Sequence, residues 1–228
     1  MTVMALLTPL LLSLWVCVTV NTVVDLQKKI IGGQECDSNE RLYHVQLIIN
    51  TSTAEFFCGG SLISDQWILT AAHCWEPGYT INAVLGVHHG KAESVGIKAQ
   101  PEIFTDKNNN KRSHDIMLLK LPSPTRIQPV PLPSCRKGPK ISEKVQIAGH
   151  AATTGGPNNT RTPSKSLTLQ CADIEVVSCK GLKKTLKKEN PYFYQKMLYL
   201  HLFCGKSPRV DACDVSSHGF YLSPVDSL

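Results

Sequence analysis

Leu69-Thr70-Ala71-Ala72-His73-Cys74 closes the short apolar run Gln66-Trp67-Ile68-Leu69-Thr70, whose length and composition predict a β-strand. Further along, Ser113-His114-Asp115 leads straight into a second run, Ile116-Met117-Leu118-Leu119-Lys120-Leu121. A histidine and an aspartate therefore each stand at one end of an expected strand. Val45-Gln46-Leu47-Ile48-Ile49, Ala83-Val84-Leu85-Gly86-Val87 and Lys144-Val145-Gln146-Ile147-Ala148 have the same character. From Tyr43 onward, short apolar runs alternate with turn residues, which favours an all-β sandwich or barrel. Six prolines between Pro122 and Pro139 block regular structure and predict a connector between two similar halves. Thr153 to Pro163, rich in Gly, Asn and Thr, reads as a long exposed loop. Leu182 and Leu186, one helical turn apart, predict a short helix with its lysines outward. No internal repeat of solenoid length interrupts this order.

A chain of 228 residues, 42% hydrophobic and 18% charged, suits one globular unit and excludes fibrous or disordered classes. Residues 1–24 carry no side-chain charge and hold Leu10-Leu11-Leu12-Ser13-Leu14-Trp15-Val16, the pattern of a secretory signal segment. A membrane anchor is the competing reading, and Pro9, Ser13, Thr19, Asn21 and Thr22 count against it. Nine cysteines point to an oxidising compartment, with Cys17 inside the signal segment and eight beyond it. Asn50-Thr51-Ser52 and Asn158-Asn159-Thr160 are sugar-acceptor triplets suited to surface loops of a secreted protein. The net charge of +6 is uneven: Lys180, Lys183, Lys184, Lys187 and Lys188 crowd into nine residues. That cluster reads either as a solvated helix face or as a contact for heparin-like polyanions. No Cys/His metal spacing and no nucleotide-binding glycine motif is present, so no metal, cofactor or nucleic acid is expected.

The histidine and aspartate stretches together resemble the corresponding motifs of trypsin-like serine proteases, a family that includes granzymes and kallikreins. The resemblance runs from about Lys29 to Cys213. It implies two antiparallel six-stranded β-barrels with a cleft between them. It implies that His73 is the general base, a role that suits imidazole because that ring titrates near neutrality. Asp115 would orient the ring and stabilise the imidazolium. Lys29-Ile30-Ile31-Gly32-Gly33 resembles the activation site of the zymogens, in which cleavage after Lys29 frees the amino group of Ile30 to pair with a buried aspartate. The implied layout is a signal peptide at 1–22, an activation propeptide at 23–29 and a peptidase domain at 30–228. Asp211, two residues before Cys213, would lie at the base of the specificity pocket and select Arg or Lys. The implied disulfides join Cys58 to Cys74, Cys36 to Cys171 and Cys179 to Cys204. The implied partners are protein or peptide substrates with Arg or Lys, an activating protease and serpin-type inhibitors.

The sequence departs from the family after Asp214. Where relatives read Gly-Asp-Ser-Gly-Gly-Pro, this chain reads Val215-Ser216-Ser217-His218-Gly219-Phe220. Ser217 keeps the nucleophile's offset from Cys213. Val215, however, replaces the glycine whose N–H helps bind the oxyanion, and a β-branched residue resists that backbone geometry. Ser216 replaces the aspartate that Ile30 needs, and His218 replaces a turn glycine. The expectation is a peptidase domain lacking its C-terminal part, inactive as written, with Cys135 and Cys213 left unpaired and a poorly stable second half. Val215-Ser216 is also the translation of a common intron start, so residues 215–228 read as intron sequence carried through. A tail of independent origin is the alternative. Two further departures are Gly149-His150-Ala151, where relatives usually carry Gly-Trp-Gly, and a long segment between Cys179 and Cys204.

Overall fold

The computed structural model describes residues 33–106, 109–133, 138–150, 154–155, 161–162, 168–198, 200, 204–207 and 223–224. The signal segment, Lys29, Ile30, Cys135, Asn158, Asp211, Cys213 and Ser217 lie outside the described residues.

The first half is one antiparallel sheet. Its strands are β2 (His44–Asn50), β3 (Glu55–Leu62), β4 (Trp67–Thr70), β5 (Thr80–Leu85), β6 (Glu93–Gly96), β7 (Glu102–Asp106) and β8 (Asn109–Lys120). They pair in the order β6-β5-β2-β3-β4-β8-β7. Alternation drives the pairing: Val45, Leu47 and Ile49 of β2 are fully buried, whereas Gln46, Ile48 and Asn50 are only half-buried. With Leu62, Ile68, Ile81, Ala83, Met117 and Leu119 they form one continuous apolar cluster. Gly60 permits the close approach of β4, because a Cβ there would stand 2.7 Å from Ile68 Cγ2. The strand expected at 83–87 stops at Leu85: Gly86 turns left-handed at φ 65° and opens a 3-10 turn at Val87–His89.

The second half is smaller. Its sheet runs β1 (Gln34–Glu35), β12 (Gln170–Val177), β9 (Lys144–Gly149) and β14 (Ser223–Pro224), with β13 (Cys204–Lys206) on the other part of β12. Its described core is thin: Ile147 packs with Ala172, and Leu169 packs with Cys36 and Cys171. Two antiparallel halves of the trypsin-like type are thus present, neither closing into a complete barrel among the described residues.

The connector has no regular structure where it is described. It is strapped to the first sheet by Leu121, Thr125 and Val130, whose N–H groups donate to the carbonyls of Gln66, Asp65 and Leu62. The loop expected at 153–163 contains a two-residue ladder, β10 (Thr154–Gly155) against β11 (Arg161–Thr162), with Thr154 opposite Thr162. The expected helix is α1 (Lys180–Glu189), and a second, α2 (Pro191–Met197), follows it. Among the described residues no helix is long and apolar enough to cross a membrane.

Among the described residues, two side-chain contacts join the halves, and a disulfide fastens the β1 edge of the second sheet to β12. Cys36 is bonded to Cys171. Arg41 donates to the Gln146 side chain, whose amide in turn donates to Asp173 Oδ1 at 3.0 Å. The His44 ring, 7% exposed, lies 5.2 Å from that of His150 at a tilt of 41°. A histidine at the usual tryptophan position thus fills its site by packing on a second imidazole.

Leu47→Ala is expected to destabilise the first half by about 2–5 kcal/mol in denaturant titrations, the cost of a cavity in a packed core. Burial, aided by the charges of His150, His88 and Arg41, pushes His44 down to about 3. The folded state therefore disfavours the proton that the unfolded chain takes up near pH 6.5. Stability from keeping His44 neutral is complete above that pH and is lost as pH falls towards 3, the loss reaching about 2 kcal/mol at pH 5. Melting curves should shift downward between pH 7.5 and 5, and His44→Gln should flatten that dependence.

Candidate active site

The site is built where β4 ends and where β8 passes Asp115, midway along its length. These strands pair antiparallel with Leu69 opposite Leu118 and Thr70 opposite Met117. Thr70 Oγ1 donates to the Gly59 carbonyl at 2.8 Å and fixes the exit of β4. The chain then makes a single 3-10 turn, Ala72–Cys74, with Ala72 and Cys74 buried and His73 turned outward. The Cys58–Cys74 disulfide ties this turn to the neighbouring β3. Asp115 precedes the buried part of β8 and takes a left-handed backbone conformation, φ 60°.

The two functional side chains meet closely. His73 Nδ1 lies 2.7 Å from Asp115 Oδ2, and the His73 backbone N–H donates to Asp115 Oδ1 at 2.9 Å. Both oxygens of one carboxylate are therefore engaged by one residue. An ionised carboxylate only accepts hydrogen bonds, so Nδ1 carries the proton and the basic lone pair falls on Nε2. Partial burial pushes the Asp115 carboxyl up, but the hydrogen bonds from the His73 ring and from the His73 and Ala72 backbone, together with the charge of His73, outweigh it and hold the group below its usual value. The His73 side chain is 40% exposed and that of Asp115 32%, so the imidazole is reachable from solvent while its partner is partly shielded. Such a pair can take a proton from a hydroxyl brought to Nε2 and hold the resulting imidazolium.

Sequence reading did not single out the neighbouring His114–Asp106 pair. His114 Nε2 lies 2.7 Å from Asp106 Oδ1, and its ring is 5.1 Å from that of Phe104. This contact clips β7 to β8 directly beside Asp115. No sequence spacing announces it, because the register between β7 and β8 shifts on either side of Thr105. Cys58, His73 and Cys74 also bring potential metal-ligand atoms together. The two sulfurs are joined as a disulfide, which removes the thiolates a metal would need.

The other expected positions fall as follows. The structure joins Cys36 to Cys171, Cys58 to Cys74 and Cys179 to Cys204, the three pairs that the resemblance implies. Asn50 is the last residue of β2, half-buried, beside the tight turn in which Thr51 Oγ1 accepts from the Ala54 N–H at 2.9 Å. A cleft of about 550 Å³ between β5–β6 and the connector, lined by Lys91, Glu93 and residues 121–127 among others, includes neither His73 nor Asp115.

Proton NMR should show a downfield His73 Nδ1–H resonance that disappears in Asp115→Asn and in His73→Ala. Because the Asp115 carboxyl is held low, the contact is present above that lowered value and is lost as pH falls through it. The resonance should therefore persist into the range where ordinary carboxylates are already protonated. Absence of the resonance in the unsubstituted chain at neutral pH would contradict the pairing.

A family model described as Trypsin matches residues 30–214. A snake venom serine protease of Crotalus durissus durissus is 36% identical over 173 residues, covering 69% of this chain and 62% of that protein. A glandular kallikrein of Sus scrofa is 29% identical over 171 residues, covering 67% and 65%. The chain thus spans less than two thirds of the length of these relatives. Among solved structures, neuropsin, a serine protease expressed in the limbic system of mouse brain, is 25% identical with a TM-score of 0.56, over 83% of this chain and 80% of that one. A match over residues 30–214, on a fold that brings His73 to Asp115, makes this chain a member of the trypsin family.

Proposed function

We propose that the chain derives from a secreted trypsin-like serine endopeptidase, made as a zymogen and cutting after Arg or Lys, and that the sequence as it stands does not cut. The observation that carries this reading is the contrast between two parts of one site. The His73–Asp115 pair has working geometry, with both carboxylate oxygens engaged and the ring exposed. The stretch that should deliver the nucleophile reads Asp214-Val215-Ser216-Ser217-His218-Gly219-Phe220. A base without an attacking oxygen and without oxyanion donors does little. Removing even one such donor costs a factor of about 10² to 10³ in turnover, and here the donor glycine, the aspartate for Ile30 and the turn glycine are all replaced.

In this reading residues 1–22 direct secretion, residues 23–29 form the propeptide, and an activating protease cleaves after Lys29. Asp211 would pair with the basic side chain of the substrate in a complete pocket. Asn50 and Asn158 would carry glycans, and serpin-type inhibitors would recognise an active form. The disulfides support passage through an oxidising compartment. A second reading, a non-catalytic homologue acting as a secreted binding protein, is favoured by the same replaced stretch. A transcript that continues from codon 214 into Gly-Asp-Ser-Gly-Gly-Pro supports the endopeptidase reading, and genomic sequence with no splice donor at that codon supports the binding protein.

Purified chain should hydrolyse an arginyl ester no faster than its His73→Ala variant, and a fluorophosphonate probe should leave Ser217 unlabelled. Labelling that is abolished by Ser217→Ala would overturn the inactive state.

A further inference from the structure

We propose that the outer face of α1 is a binding surface for a linear sulfated polysaccharide. Lys180, Lys183, Lys184, Lys187 and Lys188 follow the i, i+3, i+4, i+7, i+8 spacing that places side chains on one face of a helix. At 3.6 residues per turn they fall within an arc of about 140° and extend over about 12 Å of helix axis. All five are exposed, and α1 has no buried residue. Leu182 and Leu186 lie on the opposite side, and Leu186 is half-buried. The lysine face therefore carries no apolar side chain.

The N-terminal part of this arrangement works against the helix, whereas Lys187 and Lys188 in the last turn suit its dipole. Like charges at i, i+3 and i, i+4 repel. Lys180 and Lys183 stand in the first turn, where the helix dipole is already positive, with no acidic residue there and no side-chain cap. Among the described residues, none of the five lysines is in an ion pair. A solvated face would tolerate interspersed acids. A stripe kept purely cationic at local cost is the pattern of a surface that meets an external anion. The presentation is rigid at its base: Cys179, immediately before α1, is bonded to Cys204, and Cys204 is paired with Val177 of β12.

The chemistry of the face selects the partner. Lysine ammonium groups are hydrated point charges that accept anionic oxygens in many orientations, which suits a row of sulfate esters better than a single planar group. A face without apolar residues has nothing to bury among acyl chains, in contrast to a helix that lies in a membrane interface. The exposed Tyr192 and Phe193 belong to α2 and not to this stripe. The disulfides place the chain's chemistry in an oxidising, secretory setting, where sulfated polysaccharides are encountered and nucleic acids are not. This surface is independent of the reading of the His73–Asp115 site.

The test titrates the full chain with a heparin-derived oligosaccharide over a range of sodium chloride concentrations. Binding should weaken linearly in a log–log plot as counterions are released. Lys183→Glu/Lys187→Glu should weaken it about ten-fold or more and give a shallower salt slope. Lys91→Glu/Lys98→Glu, an equal change in net charge on the exposed first half, should change it less than about two-fold. Lys183→Gln/Lys187→Gln should give an intermediate loss, and it reads the same contact should the glutamate variant fold poorly. Equal weakening by the two glutamate pairs, no binding at low salt, or tighter binding to phosphatidylserine vesicles or duplex DNA than to the oligosaccharide would overturn the proposal.

Discussion

The register between β4 and β8 is the constraint on which the site depends. Thr70 pairs with Met117, so the turn that begins two residues after Thr70 and the aspartate two residues before Met117 must lie side by side. That register is not a local choice. Met117 and Leu119 of β8 and Ile68 of β4 are fully buried in the same cluster as Val45, Leu47 and Leu62. A slip of β8 by one residue would turn Met117 and Leu119 to solvent and carry Asp115 away from His73. Burial of an apolar face thus holds two polar groups together at a precision that their own attraction, at a partly exposed position, would not supply.

Local features then refine what the register sets. The 3-10 turn faces two backbone N–H groups, those of Ala72 and His73, towards one carboxylate, and the Cys58–Cys74 bond keeps the turn against β3. Asp115 adopts φ 60°, a conformation that costs an ordinary L-residue about 1–2 kcal/mol and that aspartate tolerates better than most. The observed strain sits on the residue that makes the hydrogen bonds, and the carboxylate's three donors offset it. The His114–Asp106 clip lies one residue away and restrains the same stretch of backbone. The geometry at His73 is in this sense over-determined, by sheet register, disulfide and a second histidine–aspartate contact.

Much of this was legible in the amino-acid order, and the gaps have physical causes. β2, β4, β5 and the buried part of β8 announced themselves through apolar residues recurring along one buried face, as Val45, Leu47 and Ile49 do. β3, with its paired glycines, and the largely exposed β6 and β7 carry no such run. The His73 and Asp115 positions were readable because each adjoins an apolar run, although β8 begins at Asn109 and so carries Asp115 inside it. The end of β5 was misjudged at Gly86 and Val87, where a glycine with positive φ breaks an otherwise strand-like run. α2 was missed although its signal is present. Asn190 precedes Pro191, and the Asn190 side chain accepts from the Phe193 N–H at 3.0 Å, an N-cap followed by proline in the first helical position. The His44–His150 contact and the Arg41–Gln146 bond join residues more than a hundred positions apart, and no periodicity encodes them.

The two halves differ in how their order is maintained. The first is held by an apolar cluster drawn from β2, β3, β4, β5 and β8. The second has small clusters around Ile147 and Leu169 and relies more on covalent and polar ties. Cys36–Cys171 closes 135 residues of chain, a constraint worth about 4–5 kcal/mol if its whole effect falls on the unfolded state. That bond lies within the second half, since Cys36 follows β1, which pairs with β12 at Cys171, and β12 pairs in turn with β9. The second half meets the first where His44 packs on His150, a junction at which His44 must stay neutral to remain buried. The His73–Asp115 pair sits wholly in the first half, on strands that share its apolar cluster. The contact between His73 and Asp115 therefore rests on the first core and not on the thin clusters around Ile147 and Leu169.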